Sequence, residues 1–268
     1  MRDSNRRGVA VGFFDGVHLG HRAILDRADR AVTFSNHPLA VLKPEIAPRM
    51  IMTTAERVAA IGKPVTLLDF TAELAAKSPA EFLALADINR NDTVYCGENW
   101  RFGRDGEGDA KWLAERGYLV EVVPYAEYRG EIISSSRIRK ALAVGEIEDV
   151  NAMLGRRYSI VAARSSGKGL GRTIGYPTIN FETDAPLAAG VYEVAVDGVR
   201  GIANFGFAPT MGDRAWTKPI LEVHLLEAGE VAAGRVEFVR FLRAERKFAS
   251  VEELRRQIAA DCDRILAR

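Results

Sequence analysis

The chain has 268 residues and a formal net charge of +1, from 37 basic and 36 acidic residues. Hydrophobic residues make up 47% of it, which is enough for one large globular core or two modest ones. The balanced charge excludes a protein that holds nucleic acid through a strong overall positive field, so any phosphate chemistry must depend on a local site.

Neither a targeting segment nor a cysteine framework is indicated. The first residues, MRDSNRRGVAVGFF, contain only a short apolar run, too brief for a membrane span or a signal peptide. Cys96 and Cys262 are far apart and form no CxxC pair, so we expect two buried free thiols rather than a zinc site or a disulfide. We therefore expect a cytoplasmic protein with no membrane or nucleic-acid partner, and its oligomeric state stays open.

The first half alternates β-rich runs with amphipathic segments. The expected strands are GVAVGFF, AVTFS, PVTLLDF, DTVYCG and YLVEVVPY, and the helical segments between them are HRAILDRAD, TTAERVAAIG, SPAEFLALAD and DAKWLAERG. Ser78, Pro79 and Glu81 match a capping box with proline at the first helical position. This alternation predicts an α/β domain with a parallel sheet over residues 1–154.

The decapeptide GFFDGVHLGH, residues 12–21, follows the first strand, at the sheet edge where α/β proteins bind ligands. Gly12 and Gly16 let the backbone approach a ligand, while His18 and His21 would share one face of a helical turn and donate to phosphate oxygens. Either histidine alone could equally be a capping or packing residue. The pair, in a glycine-flanked turn, indicates a site for a nucleoside triphosphate.

A second polar cluster, ISSSRIR at residues 133–139, places three hydroxyls at a helix start before Arg137 and Arg139. Such serines can be plain N-caps, and that alternative stays open for each of them. A serine and an arginine at a helix start are equally suited to binding phosphate.

The two clusters resemble the HxGH and ISSxxIR signatures of the nucleotidyltransferase superfamily. They specifically resemble the Rossmann-like amino-terminal module of the bacterial bifunctional riboflavin kinase/FMN adenylyltransferase (FAD synthetase) family. GENWRFGRDGEGDA, residues 97–110, resembles that family's GENFRFG segment, and TFSNHP, residues 33–38, resembles its TFDPHP.

The resemblance implies that this module transfers AMP from ATP to FMN and releases pyrophosphate. It assigns catalytic roles to His18, His21 and Arg139. It assigns nucleotide and phosphate binding to a further set: Gly12, Phe14, Asp15, Gly16, Gly20, Asn99 and Ser136.

Three departures from the family pattern are visible. Phe13 replaces the usual asparagine, and the stretch from His21 to Thr33 is short. Ser35 and Asn36 replace the aspartate and proline of TFDPHP, which removes a carboxylate expected near the flavin phosphate. The alternative interpretation is therefore a riboflavin kinase with a weakened or inactive adenylyltransferase domain.

The second half, residues 155–268, reads as an antiparallel β-barrel with a terminal helix. Strand-like runs follow one another with glycine and proline between them: YSIVAAR, GVYEVAV, GIANFGF, PILEVHLLE and GRVEFVRFLR. Ser250 and Glu253 form an S-x-x-E cap, and the apolar spacing after them predicts a helix over residues 250–267. We expect this helix to pack against the barrel.

The loop GKGLGRTIGYPTIN, residues 167–180, is not a Walker A motif because no GK[ST] closes it, and its glycines fit an ordinary flexible turn equally well. Thr178 and Asn180, however, place two neutral oxygens on one face of an extended segment. Such a donor set suits an Mg²⁺ ion that keeps waters and substrate phosphates as its other ligands.

This half resembles the riboflavin kinase module of the same family, through G-x-x-x-G-R-x-x-G-[FY]-P-T-x-N and through NFGFAPT, LEVHLLE and VEFVRFLRAERKF. The resemblance implies that Thr178 and Asn180 hold Mg·ATP, and that Glu222 is the general base for the riboflavin 5′-hydroxyl. It assigns phosphate binding to Gly167, Lys168, Gly169 and Arg172, and flavin binding to Asn204 and Arg243.

Glu222 has an ordinary alternative, since strand alternation also places it with His224 on a solvated polar face. The preferred interpretation is a two-domain enzyme that uses ATP to convert riboflavin to FMN and FMN to FAD. A flavin-binding or regulatory protein without turnover is the competing class.

Overall fold

The computed structural model describes residues 6–165, 174–206, 219–227, 231 and 234–267. The chain divides into two compact units, Met1–Ser135 and Ser136–Arg268. No helix among the described residues is long and apolar enough to cross a membrane.

The amino-terminal unit is built on a parallel sheet. Its strands are β1 (Gly8–Val11), β2 (Arg30–Phe34), β3 (Val65–Leu68), β4 (Thr93–Gly97) and β5 (Leu119–Val123). Its helices are α1 (Leu19–Leu25), α2 (Leu39–Leu42), α3 (Thr54–Ile61), α4 (Ala72–Ala75), α5 (Pro79–Leu85) and α6 (Ala110–Glu115). The expected parallel α/β architecture is thereby confirmed, and α2, α4 and the hairpin β6 (Glu127–Tyr128) to β7 (Glu131–Ile132) are additions that the sequence did not signal.

The strand order β3-β2-β1-β4-β5 puts the first strand at the centre and makes β1/β4 the point where the order reverses. Alternate residues of β1 enter different cores: Val9 and Val11 pack with Phe82 and Leu113, whereas Ala10 packs in a separate cluster with other buried residues. Both faces of the sheet are therefore covered, and the carboxyl ends of β1 and β4 are where a ligand would bind.

The helix-start signals are confirmed. The Ser78 side chain accepts from the Glu81 backbone N–H, and the Glu81 carboxylate accepts from the Ser78 backbone N–H. The observed first helix, α1, is shorter than the predicted segment HRAILDRAD and covers seven residues. Its N-cap is His18, so the histidine pair stands at the start of this helix.

The carboxyl-terminal unit contains a curled antiparallel sheet. Its strands are β8 (Tyr158–Val161), β9 (Arg164–Ser165), β10 (Ile179–Glu182), β11 (Gly190–Val196), β12 (Val199–Gly206), β13 (Ile220–Leu225) and β14 (Arg235–Ala244). Their order is β8-β14-β11-β12-β13-β10-β9. Because β8 and β9 lie at opposite edges yet are nearly consecutive in the chain, the sheet must curve until its edges approach, as in a barrel.

The terminal helix (Val251–Leu266) covers one face of this sheet. Its Cys262 and Ile265 pack with Val191 and Ile202. Ser250 caps it as expected, accepting from the backbone N–H of Glu253.

Both cysteines are free and buried, as the sequence predicted. Burial raises the pKa of each thiol to about 11, so neither is a reactive thiolate at neutral pH.

Two helices that precede the barrel strands also belong to the carboxyl-terminal unit. These are α7 (Ser135–Val144), apart from its first residue, and α8 (Ile147–Leu154). Asn151 of α8 fixes it to the sheet, because its Nδ2 donates to the Phe238 carbonyl at 3.0 Å and its Oδ1 accepts from the Tyr158 N–H at 2.7 Å. The domain boundary at residue 154 predicted from the sequence remains a prediction, whereas the compact units divide earlier, after Ser135.

We expect a fragment of residues 155–268 to melt well below a fragment of residues 136–268. The shorter fragment loses the buried side chains of α8 and leaves the backbone groups bonded by Asn151 without partners, a change large enough to lower the midpoint by about 5 °C or more. Circular dichroism melts of both fragments measure the difference. Equal midpoints would show that α8 contributes nothing to the barrel.

Candidate functional site

The turn after β1 has an unusual backbone. Phe14, Gly16 and Val17 have positive φ angles of 58°, 83° and 41°. A left-handed backbone is ordinary for glycine but costly for a β-branched residue such as Val17, and such strain persists only where the surrounding structure fixes it. Because the turn bends the chain so sharply, β1 ends at Val11 rather than continuing through Phe14 as predicted.

Two polar contacts fix this turn from one side. The Asp15 carboxylate is 2% exposed and accepts from the Ile51 N–H, with both oxygens at 3.2 Å. The Asp15 carbonyl accepts from the Ser135 hydroxyl at 2.8 Å. Asp15 is therefore placed as a support of the turn, with its carboxylate turned into the protein.

A buried arginine holds the turn from the other side. The Phe13 carbonyl accepts from Arg57 Nη1 at 2.8 Å and from Thr33 Oγ1 at 3.0 Å. The Arg57 guanidinium also lies 3.9 Å from the Phe13 ring centre, and its Nη2 donates to the Phe34 carbonyl. Burial lowers the pKa of Arg57, but a guanidinium keeps its charge at neutral pH.

Arg57 was not singled out from the sequence. One signal was available, because Arg57 stands four residues before Ile61 and so shares the apolar face of its helix. A charged residue at such a position needs internal partners.

The two histidines lie together as the sequence predicted. Their rings stack, with centres 3.6 Å apart and planes 19° from parallel. His18 caps α1, since its Nδ1 accepts from the His21 N–H at 3.3 Å. In a neutral His18 ring this arrangement puts the proton on Nε2, so capping uses only one of the two ring nitrogens. Capping and ligand binding are therefore compatible roles for the same residue.

His21 is held uncharged. Burial, and then electrostatic interaction with His18 and Arg57, keep its pKa well below the usual 6.5. Its Nδ1 is buried and has no hydrogen-bond partner among the described residues. A neutral imidazole with an unused nitrogen suits binding of a phosphate oxygen or a bound water.

Gly20, between the two histidines in the sequence, leaves room for the His18 ring. A Cβ on Gly20 would lie 3.2 Å from the His18 ring, closer than a relaxed contact. Gly12, at the start of the turn, donates its N–H to the Val32 carbonyl at 3.1 Å, which ties the turn to the neighbouring strand. Both glycines allow close packing at the sheet edge.

The remaining predicted residues are more exposed. Asn99 lies in the exposed turn directly after β4, on the other side of the strand-order reversal from the histidines. Ser136 is exposed and Arg139 half-buried, both in α7. Their roles in nucleotide binding remain predictions.

In the TFSNHP segment, both substituted residues, Ser35 and Asn36, form hydrogen bonds of their own. Asn36 pairs with the backbone of Phe70 in both directions, through Nδ2 to the carbonyl and Oδ1 from the N–H, each at 2.9 Å. Proline at this position could make neither bond. The Ser35 hydroxyl donates to Asp69 Oδ1 at 2.5 Å, so an exposed carboxylate from the end of β3 stands beside the position where the family's carboxylate is missing.

In the second unit, three of the predicted kinase residues form one row. Asn180 of β10 pairs with Glu222 of β13, and Glu222 pairs with Asn204 of β12. Directly opposite residues in antiparallel strands project from the same face, so the three side chains are neighbours. Leu221 and Val223 are fully buried on the opposite face, which confirms the predicted alternation.

Glu222 lies in an environment that disfavours its charge. Burial raises its pKa, and the charge of Glu245 raises it further. Glu245 reaches this row because its Oε1 accepts from Asn204 Nδ2 at 3.1 Å and its carboxylate lies over Gly206, where a Cβ would clash. Glu245 is a functional candidate that sequence analysis missed, because nothing in its local pattern shows that it folds over β12.

Asn180 meets one requirement for a metal ligand. It is 6% exposed, and its Oδ1 has no hydrogen-bond partner among the described residues. Thr178, two residues earlier, is exposed. A neutral oxygen left without a partner fits a hard cation that also keeps waters and phosphates, and the described residues contain no cluster of three His, Cys, Asp or Glu side chains that could replace it.

The predicted phosphate-binding loop residues and the predicted flavin-binding Arg243 differ in what the structure describes. Gly167, Lys168, Gly169 and Arg172 lie outside the described residues. Arg243 is described, and its Nε donates to Asp261 Oδ2 of the terminal helix at 2.8 Å. Asp261 is fully buried, so this ion pair anchors the helix, and contact between Arg243 and flavin remains a prediction.

Known family models match both units. A model described as FAD synthetase matches residues 1–137, and one described as riboflavin kinase matches residues 154–268. Each model thus covers one of the polar sites described above.

Curated relatives match along nearly the whole chain. The bifunctional riboflavin kinase/FMN adenylyltransferase of Pseudomonas fluorescens is 35% identical, covering 97% of this chain and 93% of its own length. Proteins of the same name from Escherichia coli K12 and Bacillus subtilis 168 are 32% and 30% identical, each covering 94% of this chain. They cover 90% and 89% of their own lengths.

The fold also occurs in solved structures. A crystal structure titled macrolide-efflux protein from Streptococcus pneumoniae is similar with a TM-score of 0.81 and 27% identity. The match covers 96% of this chain and 92% of that one.

We expect Ser35→Asp to destabilise the chain rather than simply restore a carboxylate. The substitution removes the hydroxyl that donates to Asp69 and places two carboxylates in contact, which should cost about 1 kcal/mol or more. Thermal melts test this, with Ser35→Asn as the uncharged control. Adding Asp69→Asn should recover the loss, and an unchanged midpoint for Ser35→Asp alone would contradict the arrangement.

Proposed function

We propose that this chain, which belongs to the bifunctional riboflavin kinase/FMN adenylyltransferase family, carries out its two reactions at two separate sites. It is an enzyme of flavin cofactor synthesis that uses ATP to convert riboflavin to FMN and FMN to FAD. The alternative of a kinase with an inactive first domain has no support, since the FAD synthetase model matches that domain. The observation that carries the proposal is that the stacked histidines lie within the FAD synthetase match, while the row Asn180–Glu222–Asn204 lies within the riboflavin kinase match.

In the amino-terminal unit, an FMN phosphate oxygen attacks the α-phosphorus of ATP and pyrophosphate leaves. This reaction needs no covalent enzyme intermediate, so the protein's task is to position the phosphates and stabilise developing charge. The rigid turn places His18 and His21 at the carboxyl end of β1. Neutral imidazole N–H groups there bind phosphate oxygens, and Asn99, Ser136 and Arg139 remain assigned to the nucleotide by sequence.

In the carboxyl-terminal unit, Glu222 accepts the proton of the riboflavin 5′-hydroxyl as that oxygen attacks the γ-phosphorus and ADP leaves. The raised pKa of Glu222 suits a general base, because a base works best when its pKa approaches the working pH. Asn204 stands beside Glu222 on β12, and this neighbourhood supports its assignment to the flavin.

The use of ATP implies a divalent metal, and we assign Mg²⁺ to Thr178 and Asn180. When bound, the ion neutralises phosphate charge. The support is the buried Oδ1 of Asn180 beside Glu222, which has no hydrogen-bond partner among the residues that the structure describes. We also place both reactions in the cytoplasm, where ATP is available.

Two substitutions should separate the reactions. His21→Ala should abolish FAD formation while riboflavin phosphorylation continues, and Glu222→Gln should lower phosphorylation by about 10²-fold while added FMN is still adenylylated. Chromatography of flavins after incubation with ATP and Mg²⁺ measures both. Equal loss of both activities in a folded variant would contradict two separate sites, and full kinase activity in Glu222→Gln would show that Glu222 is not the general base.

The pH dependence of riboflavin phosphorylation should respond to Glu245. Since Glu222 must be deprotonated to act, activity falls as the pH drops through its raised pKa. Glu245→Gln removes the neighbouring negative charge but keeps an oxygen for Asn204, so the pKa of Glu222 falls and the acid limb of kcat/KM moves to lower pH. Glu237→Gln, on β14, is the control. An unmoved acid limb would show that Glu245 does not act on the base.

A further inference from the structure

The strand before the glycine loop carries a buried hydroxyl with no assigned role. Ser165 Oγ is buried and has no hydrogen-bond partner among the described residues, which is also true of Asn180 Oδ1. The two residues are directly opposite each other, in β9 and β10. An unsatisfied buried polar atom is costly, so two adjacent ones indicate a shared partner that the described residues do not supply.

Ser165 extends the row of kinase candidates by one strand. The register Ser165–Asn180–Glu222–Asn204 runs across β9, β10, β13 and β12. Paired residues in antiparallel strands project from one face, so the serine hydroxyl faces the same space as the proposed base and metal ligand.

Another serine on the same sheet shows what a structural hydroxyl looks like here. Ser159 Oγ, on β8, accepts from Arg235 Nη1 at 2.9 Å. Ser165 has no such partner among the described residues, although its hydroxyl is buried.

We propose that Ser165 is a further binding residue of the kinase site, whose hydroxyl joins Asn180 Oδ1 in holding the metal–ATP complex. The inference rests on the proposed riboflavin kinase function. A neutral hydroxyl can donate to a phosphate oxygen or accept from a metal-bound water, so it adds to the neutral oxygen set without adding charge. No proton is transferred to or from Ser165.

The test uses the full chain and the KM for ATP in riboflavin phosphorylation at saturating riboflavin and excess Mg²⁺. Ser165→Ala should raise this KM about 10-fold, as expected for loss of one hydrogen bond to a charged ligand. Ser165→Thr keeps the hydroxyl and should recover most of the loss, whereas Ser159→Ala should leave the KM unchanged. FMN adenylylation should not change in any of the three variants.

A double-mutant cycle with Asn180→Ala tests whether the two residues share a ligand. If they do, the combined effect on KM should be clearly smaller than the product of the single effects. Multiplicative effects would overturn the shared ligand.

Binding and stability supply readouts that do not depend on turnover. Calorimetric titration with a non-hydrolysable ATP analogue and Mg²⁺ should show one weakened binding event in Ser165→Ala. The melting temperature of ligand-free Ser165→Ala should not fall, because the hydroxyl has no partner to lose in the part of the chain that the structure describes. A lower ligand-free melting temperature with unchanged analogue binding would make Ser165 a structural residue.

The outcomes separate this inference from the function on which it rests. A wild-type chain that makes no FMN would refute the kinase function itself. If the wild type makes FMN while Ser165→Ala behaves like Ser159→Ala, only the role of Ser165 fails.

Discussion

The strained turn after β1 is the constraint on which the amino-terminal site depends. A valine with a φ of 41° would relax unless its surroundings prevented it, and the surroundings are buried polar groups. Arg57 and Thr33 bind the Phe13 carbonyl, and Asp15 binds the Ile51 N–H. Because these groups are shielded from water, removing one would leave its partner unsatisfied. Because of this bend, α1 begins directly after its N-cap His18, and the rings of His18 and His21 stack at the sheet edge.

In the second unit, the pairing register of the strands determines the geometry of the site. Antiparallel pairing alone brings Asn180, Glu222 and Asn204 together, although they are distant in the chain. The hydrophobic partners Leu221 and Val223 fix this register, since a slip by one residue would bury Glu222 in the core. The ion pair between Arg243 of β14 and the buried Asp261 fixes the terminal helix to the same sheet.

The sequence predicted the elements and the residues within its motifs, because periodicity and capping are local properties. The strand runs, the Ser78 cap and the alternation around Glu222 follow from a few neighbouring residues. It did not identify Arg57, Asp69 or Glu245. Each of these contacts a residue far away in the chain, so its importance appears only once the strands are paired. Similarly, the loss of an acid at Ser35 could not be weighed until Asp69 was found beside it.

The central claim is that one chain transfers two different phosphorus atoms of ATP at two sites. Separate incubations with riboflavin and either γ-³²P or α-³²P ATP test it directly. Phosphorylation places the γ-phosphorus on FMN, where it is kept in FAD, and adenylylation adds the α-phosphorus only to FAD. The account therefore predicts that γ-label appears in FMN and FAD, while α-label appears in FAD alone. Label from the α position in FMN, or FAD that carries no α-label, would contradict it.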